Sequence, residues 1–203
     1  MQLVFDYDGV IADSMMFMVD VLNEIVDELQ VPKIDKAGIE YWRNNGPMAA
    51  LKKARIPITK IPYITKRSAE IQKKNSDQVK FFKGIVGVIK EIKKSGVKIG
   101  ILTSNDLENV KYNLKKNDLD IFDFIEHGAK FLGKAYRISK LKRQIGEYIY
   151  VGDELRDVDA CKKAKVPIIA VSWGFNDKRL LKDADYLVNS PKEFLNLVLR
   201  LNQ

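Results

Sequence analysis

The 203-residue chain has one cysteine, Cys161, and one histidine, His127. A single thiol excludes an internal disulfide, and its place in a helical segment suits a small buried hydrophobe better than a reactive thiol. A lone histidine, in a stretch that reads as turn or surface, gives no basis for a histidine-centred metal site. No apolar run approaches the roughly 18 residues a membrane span needs. The N-terminus does not read as a secretory leader, because Asp6 and Asp8 fall where its apolar core would lie. Internal repeats, low-complexity tracts and recognisable nucleic-acid-binding motifs are missing as well. These absences predict a cytoplasmic protein with no membrane partner.

Charged residues make up 31% and hydrophobic residues 46%, which is the balance of a folded globular chain. Lysine and arginine number 35 against 27 acidic residues, a net charge of +8. Part of that excess is concentrated in Lys52, Lys53, Arg55, Lys60, Lys66, Arg67, Lys73 and Lys74, with only Glu70 against them. Such a stretch attracts an anionic substrate or nucleic acid, or is simply a solvated helix face. Without a motif to accompany it, the solvated face is preferred and nucleic acid is not expected as a partner. A monomer or a homodimer is expected.

A short apolar strand, residues 2–5, runs directly into Asp6-Tyr7-Asp8-Gly9. In a strand, residues i and i+2 share a face, so two carboxylates converge where the strand ends. Burying them together is costly unless a cation or a shared proton compensates. A polar Asp-Gly turn is the plain alternative, and the rest of the chain decides between the two.

From residue 81 onward, β-branched runs alternate with amphipathic helices. Helices are expected over 85–94, 107–117, 134–144, 158–165 and 191–201. Strands are expected over 97–102, 122–125, 148–151, 167–171 and 185–188. This is the pattern of right-handed βαβ units, hence an α/β fold with a Rossmann-like parallel sheet wrapped by helices. Residues 14–80 break it. A long amphipathic helix over 15–29 is followed by shorter helical pieces cut at Pro32, Gly46, Pro47, Pro57 and Pro62, with no strand. The division expected is a core at 1–13 and 81–203, with a helical insert at 14–80.

Four polar clusters fall at strand ends or at the next helix start: Asp6/Asp8, Thr103-Ser104-Asn105, Lys134, and Asp153-Glu154-Leu155-Arg156-Asp157. In open parallel sheets ligands bind outside the carboxyl ends of strands, so these clusters converge. Asp6 and Asp153 suit a hard divalent cation such as Mg²⁺. Thr103 offers a hydroxyl, the following helix start offers backbone amides for an anion, and Lys134 offers a positive charge. The sum is a phosphate site with a metal.

Asp6-Tyr7-Asp8-Gly9-Val10-Ile11-Ala12-Asp13-Ser14 resembles the first motif of the haloacid dehalogenase superfamily of aspartate-nucleophile phosphatases. Ile101-Leu102-Thr103-Ser104-Asn105 resembles the second, Gly133-Lys134-Ala135 the third, and Val151-Gly152-Asp153-Glu154-Leu155-Arg156-Asp157 the fourth. The likeness continues through Ser172-Trp173-Gly174-Phe175, and residues 14–80 stand where the phosphoglycolate phosphatase-like branch carries its small helical cap.

The resemblance implies a Mg²⁺-dependent phosphomonoester hydrolase. Asp6 would be the nucleophile, forming an aspartyl-phosphate, and Asp8 the acid and then the base. Asp6, Asp153 and the Asp8 backbone carbonyl would hold the metal. Thr103, the backbone after it and Lys134 would stabilise the phosphoryl oxygens. Asp157 would orient Lys134 or a metal-bound water, with Glu154 a less defined neighbour. Ser104, Asn105 and, from the cap, Arg43 are the substrate-binding candidates, with Trp42 either a stacking face or cap packing. Asp8 disfavours dehalogenase and phosphonatase chemistry. The absence of histidine from the cap's first helix disfavours mutase chemistry. The substrate expected is a small anionic phosphomonoester, phosphoglycolate by default. A nucleotide or sugar phosphate fits the same core, and a non-catalytic basic binding protein is the remaining alternative.

Overall fold

The computed structural model describes residues 1–29, 31–75, 78–128 and 133–203. Six parallel strands form one sheet. They are β1 (Gln2–Phe5), β4 (Lys98–Thr103), β5 (Phe124–His127), β6 (Ile149–Gly152), β7 (Ile168–Val171) and β8 (Tyr186–Val188). Their spatial order is β5-β4-β1-β6-β7-β8, so β1 lies near the centre, paired with β4 on one side and β6 on the other. The strand order reverses at β1, and that is where ligand crevices open in such sheets.

Alternation along each strand feeds two separate cores. Leu3, Phe5, Ile99, Ile101, Val151, Ile169 and Val171 face one side, with α5 (Ile85–Lys94), α6 (Leu107–Lys116) and α9 (Pro191–Leu201) packed over them. Val4, Leu102, Tyr150, Ile168 and Ala170 face the other, under α7 (Lys134–Ile145) and α8 (Leu155–Ala164). Both faces are thus apolar, as a doubly covered parallel sheet requires.

Residues 14–80 supply α1 (Met15–Leu29), α2 (Lys36–Asn45), α3 (Pro47–Lys53) and α4 (Ile61–Lys74). Val19, Leu22, Ile25 and Val26 recur at helical spacing on α1 and are buried with Trp42, Ile64 and Ile71 in a third apolar cluster. Gly46 ends α2 and Pro47 and Pro62 sit in the first turns of α3 and α4, where a missing N–H costs nothing.

Four details differ from the sequence reading. First, a two-residue strand β2 (Ala12–Asp13) pairs antiparallel with β3 (Lys80–Phe81), forming a ribbon where the helical segment leaves and rejoins. Second, β5 spans Phe124–His127 rather than 122–125; ahead of it Asp123 meets Ile99 twice, its N–H donating to the Ile99 carbonyl and its side chain accepting the Ile99 N–H, each at 2.8 Å. Third, α8 begins at Leu155 rather than 158, because Glu154 and Asp157 form a capping box that starts it early. Fourth, β4, β6, β7 and β8 each start one residue later than expected, and β4 runs on to Thr103. Cys161 is buried and His127 is exposed, as anticipated. Among the described residues no helix is long and apolar enough to cross a membrane.

Candidate active site

Pairing of β1 with β6 continues one residue past the strand, where Asp6 N–H donates to the Val151 carbonyl at 2.8 Å. That bond fixes Asp6 at the strand's carboxyl end. Its Oδ1 accepts the Tyr7 N–H at 2.8 Å, and its Oδ2 contacts the Lys134 ammonium. Lys134 is the first residue of α7 and contacts Asp157 Oδ1 as well, so one ammonium joins two carboxylates. The Tyr150 ring lies 5.3 Å below it, a cation–π contact. Burial alone would discharge Lys134, but Asp157 and Asp6 outweigh it and hold the ammonium well above its usual range.

Asp157 is fully buried, and its second oxygen accepts the N–H groups of Asp153 and Glu154, each at 3.1 Å. The fourth cluster is therefore folded on itself: Asp157 caps α8 and at the same time points Lys134 at Asp6. Asp153 is also fully buried. Its Oδ2 accepts the Phe175 N–H at 2.7 Å, while its Oδ1 has no hydrogen-bond partner among the described residues. Burial, followed by the charges of Glu154, Asp157 and Asp6, holds the Asp153 carboxyl well above the ordinary carboxylate range. Glu154 is pushed up to about 7, chiefly by burial, with Arg156 opposing.

A buried carboxylate oxygen with no donor is costly, and oxygens of Asp6, Asp153 and Asp157 lie within 4.8 Å of one another. An all-oxygen cluster of this charge fits a hard divalent cation. Of the three, Asp153 alone keeps an oxygen with no partner among the described residues; Asp6 and Asp157 each have both oxygens engaged, Asp6 by the Tyr7 amide and Lys134, Asp157 by Lys134 and the amides of Asp153 and Glu154. Gly9 makes the approach possible. It has φ +77, and a Cβ there would lie 2.0 Å from Asp153 Oδ2.

Asp8 stands apart from this cluster. Ser14 Oγ donates to its Oδ1 at 2.7 Å and Asn105 Nδ2 to its Oδ2 at 3.3 Å. Thr103 is buried at the end of β4, and its hydroxyl accepts the Asn105 N–H at 3.0 Å. Ser104 beside it is exposed. The helix start behind them is less open than the sequence suggests: the Asp106 carboxylate accepts the N–H groups of Glu108 and Asn109, both at 3.1 Å. Those amides are occupied, and so are the amides of Asn105 and Asp106, which donate to the Thr103 hydroxyl and to Asn105 Oδ1.

Arg43 is half-buried at the end of α2, and its carbonyl accepts from Asn176 Nδ2 at 3.3 Å and Asp177 N at 2.9 Å. Its guanidinium is among the charges that, behind two hydrogen bonds from Arg179, lower Asp177 to about 2. Trp42 is buried against Phe175, so of its two readings packing is the one that stands.

Sequence reasoning gave Ser14 no role beyond closing the first motif and passed over Arg137. The Arg137 guanidinium donates to the Thr103 carbonyl, fixing the second motif from α7. Its spacing of three from Lys134 puts both cations on one helix face, which was the available signal.

The profile described as haloacid dehalogenase-like hydrolase matches residues 3–171. The chain belongs to that family. A phosphoglycolate phosphatase of Synechococcus elongatus is 27% identical over 209 residues, covering 98% of this chain and 97% of the relative. A pyrophosphatase PpaX of Bacillus mycoides is 28% identical over 140 residues, covering 63% of this chain and 64% of the relative. Among solved structures, a predicted phosphatase from Clostridium acetobutylicum superposes with a TM-score of 0.84 at 20% identity, covering 98% of each chain. A haloacid dehalogenase-like family hydrolase from Streptococcus pneumoniae gives 0.82 at 21% identity, covering 97% of each. The family assignment and these relatives make the chain an enzyme of the family's phosphatase type.

Proposed function

We propose that this enzyme hydrolyses a small cytoplasmic phosphomonoester through an aspartyl-phosphate on Asp6, with Mg²⁺ held by Asp6, Asp153 and the Asp8 backbone carbonyl. The observation that carries the reading is the pairing of Asp6, one oxygen held by Lys134, with the donorless oxygen of buried Asp153. The cation supplies charge neutralisation between an anionic nucleophile and an anionic substrate.

The chain's own residues supply the rest. Asp6 Oδ attacks phosphorus and the ester oxygen leaves, taking a proton from Asp8. Asp8 then removes a proton from the water that splits the acyl phosphate and frees Asp6. Thr103, the Ser104–Asn105 loop and Lys134 face the phosphoryl oxygens and stabilise their charge. Asp157 acts through Lys134, whose ammonium it orients. Residues 14–80 serve as a cap, and Arg43 is the cap side chain offered to an anionic leaving group. A glycolate ester suits that charge, and the 98% coverage of this chain by a phosphoglycolate phosphatase relative favours it over a nucleotide or sugar phosphate.

A panel of phosphate monoesters assayed with Mg²⁺, and again with chelator, tests this. Turnover should require the metal and vanish in Asp6→Asn, because an amide has no anionic oxygen with which to attack. Asp8→Asn should keep a residue of activity, since acid–base catalysis contributes about 10²–10⁴-fold. Full activity in chelator, or in Asp6→Asn with unchanged circular dichroism, removes the proposal.

A further inference from the structure

Residues 173–179, which follow β7, touch both the carboxylate cluster and α2. Trp173 Nε1 donates to the Val10 carbonyl at 3.2 Å, on the loop after Asp8. Phe175 N–H donates to Asp153 Oδ2 at 2.7 Å. Asn176 Oδ1 accepts the N–H of Leu155, the first residue of α8, at 2.8 Å. On the other side, Asn176 Nδ2 and Asp177 N–H both donate to the Arg43 carbonyl, and Arg179 donates to Asn44 Oδ1 at 2.9 Å. The segment is a strap between the end of α2 and the residues around Asp153.

Phe175 is where the two sides meet in one residue. Its amide holds Asp153. Its ring, 5% exposed, belongs to the apolar cluster of α1–α4 and meets Trp42 edge to face, with centroids 6.2 Å apart and planes at 78°. The next residue back leaves little slack. A Cβ on Gly174 would lie 2.3 Å from Asp153 Cβ and 2.5 Å from the Gly9 carbonyl oxygen. Position 174 therefore has no room for a side chain against Asp153.

We infer that Phe175 is a positioning residue whose ring, packed on Trp42, fixes the amide that aims Asp153, so that packing inside the helical segment tunes how well Asp153 takes a divalent cation. The inference rests on the reading of Asp153 as a cation ligand. Coupling of this kind is reciprocal: cation binding at Asp153 must favour the Phe175–Trp42 contact by the same factor. Trp42 is on α2, and its aromatic contact on the strap is the Phe175 ring.

The test uses the full chain with Trp42→Ala, Trp42→Phe, Phe175→Leu and, as control, Ile64→Ala. Ile64 is buried in the same apolar cluster but lies on α4, off the strap. Two quantities are read without any turnover: hydrogen exchange of the Phe175 amide in chelator-treated protein, and the Mg²⁺ dissociation constant by calorimetry. Trp42→Ala and Phe175→Leu should speed exchange at Phe175 and weaken Mg²⁺ binding about tenfold, the lower end for loss of a partner that orients a ligand. Trp42→Phe, which keeps an aromatic ring, should restore both, and Ile64→Ala should change neither by more than about twofold.

Unchanged protection of the Phe175 amide in Trp42→Ala overturns the inference, as does an Ile64→Ala effect as large as that of Trp42→Ala. If Trp42→Ala does not fold, Phe175→Leu against Ile64→Ala decides on the same terms. A wild-type chain that takes up no Mg²⁺ removes the functional reading and the cation half of this inference with it. The exchange comparison still decides whether Trp42 holds the amide.

Discussion

Asn105 Nδ2 lies 3.3 Å from Asp8 Oδ2, although 97 residues separate them in sequence. The amide cannot be turned the other way, because Asn105 Oδ1 accepts the Asp106 N–H at 2.8 Å. Among the described contacts Asp8 therefore receives a donor on each oxygen, Asn105 on one and Ser14 on the other. A donor on a carboxylate oxygen favours the ionised form.

Replacing Asn105 by Asp should reverse that bias. A second carboxylate in place of a donor disfavours ionised Asp8, so Asp8 keeps its proton to higher pH. The expected outcome is a pH–rate profile for kcat/KM displaced upward relative to wild type, with a neutral aryl phosphate as substrate. Asn105→Ala, which removes the donor without adding charge, should displace it less. A profile that stays in place in both variants means that Asn105 does not act on Asp8.

Lys134 stands between two carboxylates, touching Asp6 and Asp157 while only 19% of its side chain is exposed. Lys134→Met leaves both acids buried and unpaired. Breaking such a pair from one side costs about 3–5 kcal/mol. The double variant Lys134→Met/Asp157→Asn should lose less than the single one, because asparagine removes a charge yet keeps an oxygen for the Asp153 and Glu154 amides. Urea unfolding of the three proteins without metal checks this; equal losses in single and double variants would mean that the charge pairing does not account for the stability.

Much of this site was legible because chemistry and local structure coincide in the sequence. The acids of Asp6 and Asp153 follow apolar runs of strand length, so their place at strand ends, and hence their meeting, could be read from spacing alone. Thr103 closes an apolar strand run as well, whereas Lys134 opens a helix, and both stood out only beside the other clusters and the family resemblance. What escaped was decided by contacts between distant segments. The β2–β3 ribbon is two residues long on each side, too short for any alternation. The early start of α8 depended on Asp157 bonding back to Asp153 and Glu154, which a sequence shows only as one more acid. Phe175 reads as an ordinary core aromatic, and only packing reveals that its amide and ring serve different neighbours.

Metal binding should depend steeply on pH. Burial and the charges of Glu154, Asp157 and Asp6 hold Asp153 well above the ordinary carboxylate range, and burial pushes Glu154 up to about 7. A cation needs the ionised oxygen, so binding must expel the proton that the metal-free site keeps. The sign follows: apparent Mg²⁺ affinity rises with pH through neutrality, by up to about tenfold per unit while one proton is displaced. Calorimetry in two buffers of different ionisation enthalpy counts that proton directly. Affinity that is flat between pH 6 and 8, with no proton released, would show that the cluster is already ionised before the metal arrives.

In the proposed mechanism specificity has to come from outside the phosphoryl site, because Asp6, Thr103 and Lys134 would meet only the group that every monoester shares. Arg43 is the candidate on α2, and its carbonyl is tied to Asn176 and Asp177 while its side chain is half-buried. If the guanidinium reaches an anionic leaving group, Arg43→Ala should raise KM for phosphoglycolate by roughly ten- to a hundredfold, the worth of a hydrogen bond to a charged group. An aryl phosphate with a neutral leaving group should be nearly unaffected. Since the backbone carbonyl survives in alanine, the strap stays bonded and Mg²⁺ affinity should not move. An equal loss on both substrates would instead place Arg43 in the packing of α2, and a change in Mg²⁺ affinity would trace the effect to the strap.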